Sequence, residues 1–158
     1  MATTTVSDNV CSDREATTQL QRREQMSFPD SKKLRLIASV KVLGRIPTAN
    51  EYIEACRINR FKAAKLKKDA EECIMWQAAG MPKITGSVFV SLTWFEETAK
   101  RDPDNVRFGV KFVLDALQKC GKLPNDNPKY ISGFTDSFVY GDGRGVLIEI
   151  YEEDHNEH

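Results

Sequence analysis

The apolar residues of this chain recur with two different periods, and the order of these periods constrains the fold. Residues 34–42 and 84–95 alternate apolar with polar side chains, as half-buried strands do. Apolar residues between 105 and 120 recur every three or four positions, which predicts an amphipathic helix. Residues 130–140 and 145–151 alternate again, and the glycine-rich segment between them predicts a hairpin turn.

Residues 50–79 fit one long helix, with Thr48 or Asn50 as its cap and Gly80 as its stop. The resulting order is strand–helix–strand–helix–strand–strand. It predicts an α+β domain over residues 31–153, with a small mixed or antiparallel sheet and two main helices packed on it. Two flanking segments are predicted to lie outside this domain: a flexible N-terminal extension, residues 1–30, and an acidic tail, residues 154–158.

Composition excludes several classes of protein and of site. No stretch approaches the ~18 consecutive apolar residues of a membrane span, and the first residues lack the features of a secretory signal. We therefore expect a cytoplasmic protein without a membrane partner. The only histidines are His155 and His158, which argues against a His-activated nucleophile and against a zinc site built on core histidines. Hydrolytic chemistry would depend on carboxylates, lysines and a hard cation.

Charge is distributed unevenly along a chain whose formal net charge is zero. Residues 31–68 carry 11 basic and 2 acidic side chains, whereas residues 132–158 carry 1 basic and 7 acidic side chains. A basic block of this kind is typical of proteins that bind a polyanion such as DNA. A solvated helix face balanced by the acidic C-terminal strand would give the same distribution.

Chemistry is concentrated between residues 100 and 131. Pro103 disfavours a helical conformation at Asp102, and residues two apart in extended chain point to the same side, so Asp102 and Asp104 could share a cation. Mg²⁺ prefers such oxygen ligands. Lys111 would lie two helical turns beyond Asp104 and contact the same phosphate. The alternative is that Asp104 is only a helix cap and Asp126 only a turn residue.

The order of these motifs resembles the RusA-type Holliday junction resolvases, an endonuclease family of phages and prophages. The similar pieces are Arg101–Asn105, Lys111–Gly121 and the pair Asn125–Asp126, preceded by residues 47–61. The resemblance covers roughly residues 33–151. This chain departs from the family pattern in a longer spacing before Lys111, and in having Asn125 where an acid is expected.

The resemblance implies an endodeoxyribonuclease that depends on Mg²⁺, with Mn²⁺ able to substitute. Such an enzyme resolves four-way DNA junctions in recombination and repair by paired symmetric cuts, and it acts as a homodimer. By this resemblance Asp102, Asp104 and Asp126 bind the metal and Lys111 is the catalytic lysine. The residues expected to contact DNA are Asn50, Arg57, Arg60, Lys100, Arg101 and Asn105.

Two other functions remain open from the sequence. The chain could bind junctions or single-stranded DNA with a nuclease site that has decayed, in which case the basic block persists and the acids are caps. It could instead be a phage structural or regulatory α+β domain that binds no nucleic acid.

Overall fold

A four-stranded mixed sheet forms the centre of the part described by a computed structural model, residues 33–154. Its strand order is β1–β4–β2–β3, antiparallel except for the parallel pair β2 and β3. The strands are β1 (Leu34–Leu43), β2 (Val88–Glu96), β3 (Ile131–Tyr140) and β4 (Gly145–Glu153). The helices are α1 (Ala49–Ile58), α2 (Arg60–Gln77), α3 (Pro103–Arg107) and α4 (Val110–Lys119).

This architecture confirms the predicted α+β class and the mixed sheet with helices packed against it. The alternation predicted for β2 is also confirmed, because the side chains of one face are buried in the core with the inner residues of α2 and α4. Those β2 residues are Val88, Val90, Leu92 and Trp94. The predicted extension, residues 1–30, and residues 155–158 of the predicted tail lie outside the described part of the chain. Within residues 33–154, no helix is both long and apolar enough to cross a membrane.

The last two strands do not form the predicted hairpin, because β2 lies between them. β4 pairs antiparallel with one edge of β2, and β3 pairs parallel with the other. The backbone N–H of Gly141 donates to the carbonyl oxygen of Glu96 at 2.8 Å, so the glycine-rich connection passes the end of β2. The turn prediction is right and the pairing prediction is wrong, since pairing depends on a strand distant in sequence.

The single long helix predicted over residues 50–79 is wrong, because Asn59 divides it into α1 and α2. Asn59 is extended, with φ −169° and ψ 161°. Its backbone N–H donates to the carbonyl oxygen of Ala55, and its Oδ1 accepts a 2.8 Å hydrogen bond from the N–H of Lys62. One asparagine therefore ends α1 and caps α2. The predicted cap at Thr48 is confirmed as a capping box with Glu51.

The helix predicted over residues 105–120 is also divided, at Gly109. A Cβ atom there would lie 2.8 Å from Cγ2 of Ile46 and 2.9 Å from the ring of Trp94. Asp136 on β3 holds α3 against the sheet, because it accepts hydrogen bonds from Nε1 of Trp94 at 2.9 Å and from Nε of Arg107 at 2.5 Å. Close packing on Trp94 thus leaves no room for a side chain at the position between α3 and α4.

Candidate functional site

Two of the predicted site segments meet at one end of the sheet. β1 ends beside the start of β4, where Leu43 pairs with Gly145, and β2 ends there too, where Phe95 pairs with Gly145. The chain leaving β1 reaches Asn50, and the chain leaving β2 reaches Asn105. The backbone N–H of Asn50 donates to Oδ1 of Asn105 at 2.9 Å. The structure therefore joins two predicted DNA contacts across 55 residues.

Asp102 and Asp104 both lie at the start of α3. Asp102 is extended, with φ −67° and ψ 140°, as Pro103 predicts. The helix begins at Pro103, so the expectation of two carboxylates on one side of extended chain does not hold. Asp102, rather than Asp104, occupies the N-cap position, and its side chain makes no capping hydrogen bond. The alternative in which Asp104 is the helix cap is thus not what the structure contains.

Neither carboxylate of this pair is used by the described part of the fold. Asp102 and Asp104 are exposed, and neither side chain has a hydrogen bond or ion pair within residues 33–154. A carboxylate at a helix start ordinarily accepts backbone N–H groups or pairs with a cation. Both acids are therefore available to a ligand.

The two basic residues before this pair differ in their surroundings. Lys100 is exposed in the turn after β2. Arg101 is only 22% exposed at its side chain and forms ion pairs with Glu96 at 3.4 Å and with Glu51 at 3.7 Å. Arg101 thus links α1 to the end of β2, whereas Lys100 is free to reach a phosphate.

Two further arginines that were not predicted as site residues lie at this end of the sheet, each paired with a glutamate. Arg45 forms an ion pair with Glu51, and Arg144 pairs with Glu97 at 2.9 Å. Burial, with the charges of Arg101 and Arg144, lowers the pKa of Arg45 from its ordinary value. The guanidinium groups still carry charge at neutral pH. Arg45, Arg101 and Arg144 come from three different loops, so no local sequence signal groups them.

Lys111 lies in the first turn of α4, exposed, with its Nζ 3.7 Å from Oδ2 of Asp115. Because α3 and α4 are separate helices, the expectation that Lys111 and Asp104 share one helix face is wrong. Lys67 of α2 is closer to the same oxygen, at 2.9 Å. The hydrogen bond from Lys67 to Asp115 raises the pKa of Lys67, against the opposing effect of burial.

The ion pairs around Lys111 continue into the core. Lys67 is 3.5 Å from Glu71, which is 2% exposed and also pairs with Lys119 of α4. Charges of alternating sign therefore bridge α2 and α4, with Lys111 and Lys119 at the two ends. Asp115 was detectable from sequence only as an acid four residues after Lys111.

Asp126 is exposed in the loop between α4 and β3. The side-chain oxygen of Asn125 accepts the N–H of Asn127 at 3.1 Å, and that of Asn127 accepts the N–H of Lys129 at 3.0 Å. Such side-chain-to-backbone bonds are characteristic of Asx turns. They fix the backbone around Asp126 without using its carboxylate.

Within one copy of the chain, Asp126 does not lie beside Asp102 and Asp104. It precedes β3, whose first residue Ile131 pairs with Val88 at the start of β2. Asp102 and Asp104 follow the end of β2. Because β2 and β3 run parallel, the two segments adjoin opposite ends of this strand pair.

The ligand chemistry at the start of α3 fits Mg²⁺ with two carboxylates. Within residues 33–154, no group of three His, Cys, Asp or Glu side chains is arranged to hold a metal ion. Mg²⁺ ordinarily takes only one or two protein carboxylates and completes its coordination with waters and substrate phosphates. The carboxylates of Asp102 and Asp104 are two exposed oxygen ligands of the kind that Mg²⁺ takes, and Asp126 is not grouped with them.

Arg57 and Arg60 lie away from this pair, on either side of Asn59. Both are exposed, and neither forms an ion pair with another described residue. Their guanidinium groups are thus available to an anionic partner. A comparison of the chain with protein-family models and with curated proteins found no match.

Proposed function

We propose that this protein is a Mg²⁺-dependent endonuclease that cleaves four-way DNA junctions in recombination and repair. One observation carries the proposal: Asp102 and Asp104 lie two residues apart at the start of α3, exposed and without a hydrogen bond or ion pair in the described chain. The family resemblance supports the same conclusion, since these are the acids it identifies. Acids at a helix start often cap backbone N–H groups, and because these two do not, their carboxylates remain available to a cation.

Hydrolysis of a phosphodiester requires neutralisation of charge and activation of a water molecule. When bound, Mg²⁺ would supply both by polarising the phosphate and lowering the pKa of a coordinated water. Asp102 and Asp104 would hold the ion. The exposed ammonium groups of Lys100 and Lys111 would contact phosphate oxygens.

Asn105 adds an uncharged donor to this set. Its side-chain oxygen accepts a 2.9 Å hydrogen bond from the backbone N–H of Asn50. This bond holds the oxygen end of the amide toward the protein. The NH₂ group of Asn105 is left to donate to a phosphate oxygen. Asn50 thus orients a contact to DNA rather than making it with its own backbone.

A symmetric homodimer suits this reaction because resolving a junction requires two cuts on strands related by a two-fold axis. The dimer also bears on Asp126. One chain keeps Asp126 and the Asp102–Asp104 pair at opposite ends of the β2 and β3 pair. A site that uses all three acids would therefore take Asp126 from the second copy.

A second candidate is a DNA-binding protein that makes no cut. It is favoured by Arg57 and Arg60, whose exposed and unpaired guanidinium groups would bind DNA whether or not the acids hold a metal. Binding of a junction without any Mg²⁺-dependent product would select this candidate.

The proposal is tested with Asp104→Asn and the matched control Asp142→Asn, an exposed acid in the loop between β3 and β4. Initial rates are measured on a labelled four-way junction in Mg²⁺, and affinities in EDTA. Removal of a metal ligand should lower the rate more than about a hundredfold, ~3 kcal/mol in the barrier, with affinity retained. The control should cleave normally. A wild-type rate for Asp104→Asn would refute the assignment.

A further inference from the structure

Six exposed side chains lie within six residues of Asn59 in the sequence, where α1 meets α2. We name them the elbow surface: Ile53, Arg57, Ile58, Arg60, Phe61 and Lys62. We propose that the elbow surface binds unpaired DNA bases, with Phe61 as the stacking platform and the cationic side chains on the phosphates. The inference rests on the proposed function for its ligand, DNA, and it adds which feature of the junction the protein recognises.

The apolar members are about half to three-quarters exposed. Phe61 is 71% exposed, Ile58 53% and Ile53 46%. Ile53 and Ile58 line one open depression of ≈ 530 Å³, together with Asn50, Glu54 and Arg57. A cluster of large apolar side chains on a surface is typical of an interaction site, whereas single exposed ones are ordinary.

The cationic members have no ion-pair partners in the described chain. Arg57, Arg60 and Lys62 form none within residues 33–154. Further along α2, each neighbouring lysine pairs with an acid one turn later. These pairs are Lys65 with Asp69, Lys67 with Glu71 and Lys68 with Glu72. Three of the cations in the basic block that have no ion pair therefore lie in the elbow surface, and Glu54 is the one acid lining the depression.

Cations beside an exposed aromatic ring favour single-stranded nucleic acid over other partners. The guanidinium of Arg60 lies 4.9 Å from the ring centroid of Phe61, an arrangement that supports both a stacked base and its phosphate. Three cations are interspersed here with three apolar side chains, as in grooves that hold the phosphates and bases of a single strand. Paired bases inside a duplex offer no free face to the ring. Stacking is interrupted at the exchange point of a junction, so bases that open there would offer a face to Phe61.

The elbow surface is connected to the candidate site by α1. Asn50, at the start of this helix, contacts Asn105, and Arg57 lies near its end. A helix of 10 residues is about 15 Å long. One short stretch of unpaired strand could therefore extend from the elbow surface to Asp102 and Asp104.

The test measures binding of a fluorescein-labelled oligothymidine and of a duplex of equal length, both in EDTA. Phe61→Leu should weaken oligothymidine binding about tenfold and leave duplex binding unchanged, since stacking of one base on an aromatic ring is worth that much. The matched control is Trp76→Leu, which removes an aromatic side chain that is 84% exposed on α2 but outside the elbow surface. It should bind both ligands as wild type does.

A second variant tests the cations. Replacing Arg57 and Arg60 together with Gln should lower the log–log salt slope for oligothymidine by roughly 0.7 for each phosphate that is no longer neutralised. Equal effects of Phe61→Leu and Trp76→Leu, or equal weakening on single strands and duplex, would overturn the inference. So would a Phe61→Leu protein that changes oligomeric state while keeping its oligothymidine affinity, because the surface would then be a protein interface.

These binding arms also separate the inference from the proposed function. A wild-type protein that binds oligothymidine through Phe61 but never cuts a junction would retain the inference and refute the nuclease. A wild-type protein that cuts junctions but has no affinity for oligothymidine would retain the nuclease and refute the inference. Thermal melting of each variant checks folding, and no decrease in Tm is expected because Phe61 and Trp76 are exposed.

Discussion

Asp115 links Lys111, the predicted catalytic lysine, to the interior of the protein. It is shared by Lys111 at 3.7 Å and Lys67 at 2.9 Å, and Lys67 in turn contacts the buried Glu71. Replacing Asp115 by Asn leaves the shape but removes the charge between two lysines. We expect Asp115→Asn to lower the free energy of unfolding by about 1–2 kcal/mol, the usual contribution of a hydrogen bond to a charged group.

Asp69→Asn is the matched control, because Asp69 makes a similar pair with Lys65 at 3.7 Å but is 61% exposed. Surface pairs of this kind contribute ~0–1 kcal/mol, so urea unfolding should separate the two variants. Equal effects from Asp115→Asn and Asp69→Asn would show that the chain of charges between α2 and α4 adds nothing to stability.

Lys67 gives this charge network a predicted pH dependence. Its pKa is raised above 10.5, chiefly by the hydrogen bond to Asp115. A raised pKa in the folded state adds stability that is complete below 10.5 and disappears as the pH rises through the folded pKa. The stability difference between wild type and Asp115→Asn should therefore be constant between about pH 7 and 9 and shrink above 10.5. A difference that grows at high pH would contradict this.

At the scale of secondary structure, the breaks between helices decide where the site residues lie. Gly109→Ala should destabilise the fold by about 1–3 kcal/mol, since the new Cβ would meet Ile46 at 2.8 Å and Trp94 at 2.9 Å. Gly80→Ala is the control, because nothing lies within 4 Å of a Cβ there. It should change stability by less than about 0.5 kcal/mol. Similar denaturation midpoints for the two variants would show that Gly109 is not closely packed.

Sequence periodicity was sufficient for the strands but not for these breaks. Period-two patterns identified the buried face of β2 because the pattern is a direct consequence of strand geometry. The close packing of Gly109 on Trp94 and the separation of β3 from β4 by β2 both involve contacts distant in sequence. Asn59 is a local signal, yet asparagine within a helical pattern is common enough to be passed over.

The same distinction applies to the candidate site. The sequence indicated Asp102, Asp104, Asn50 and Asn105 as separate motifs, and the fold joins the two asparagines directly. It could not indicate that Glu51 and Glu96 hold Arg101, because these three residues lie on three different elements. Nor could it indicate that Asp126 adjoins the opposite end of β2, since the parallel pairing with β3 was not predicted.

At the scale of the whole molecule, the position of Asp126 makes the proposed dimer testable. Asp104→Asn and Asp126→Asn proteins should each be unable to cleave alone. In a mixed dimer with sites shared between copies, one site keeps both intact acids and the other keeps neither. An equimolar mixture, refolded together, should therefore regain single-strand nicking of a junction without paired cutting. No recovery, with exchange of subunits verified, would show that each site draws its acids from one chain.

The central claim is tested most directly by mapping the products of wild-type protein on a labelled four-way junction in Mg²⁺. The account predicts paired nicks on two strands of like polarity, placed symmetrically about the crossover and absent in EDTA. Linear duplex of the same sequence should remain intact. A junction that is bound at nanomolar protein but stays uncut across a range of Mg²⁺ and Mn²⁺ concentrations would contradict the account.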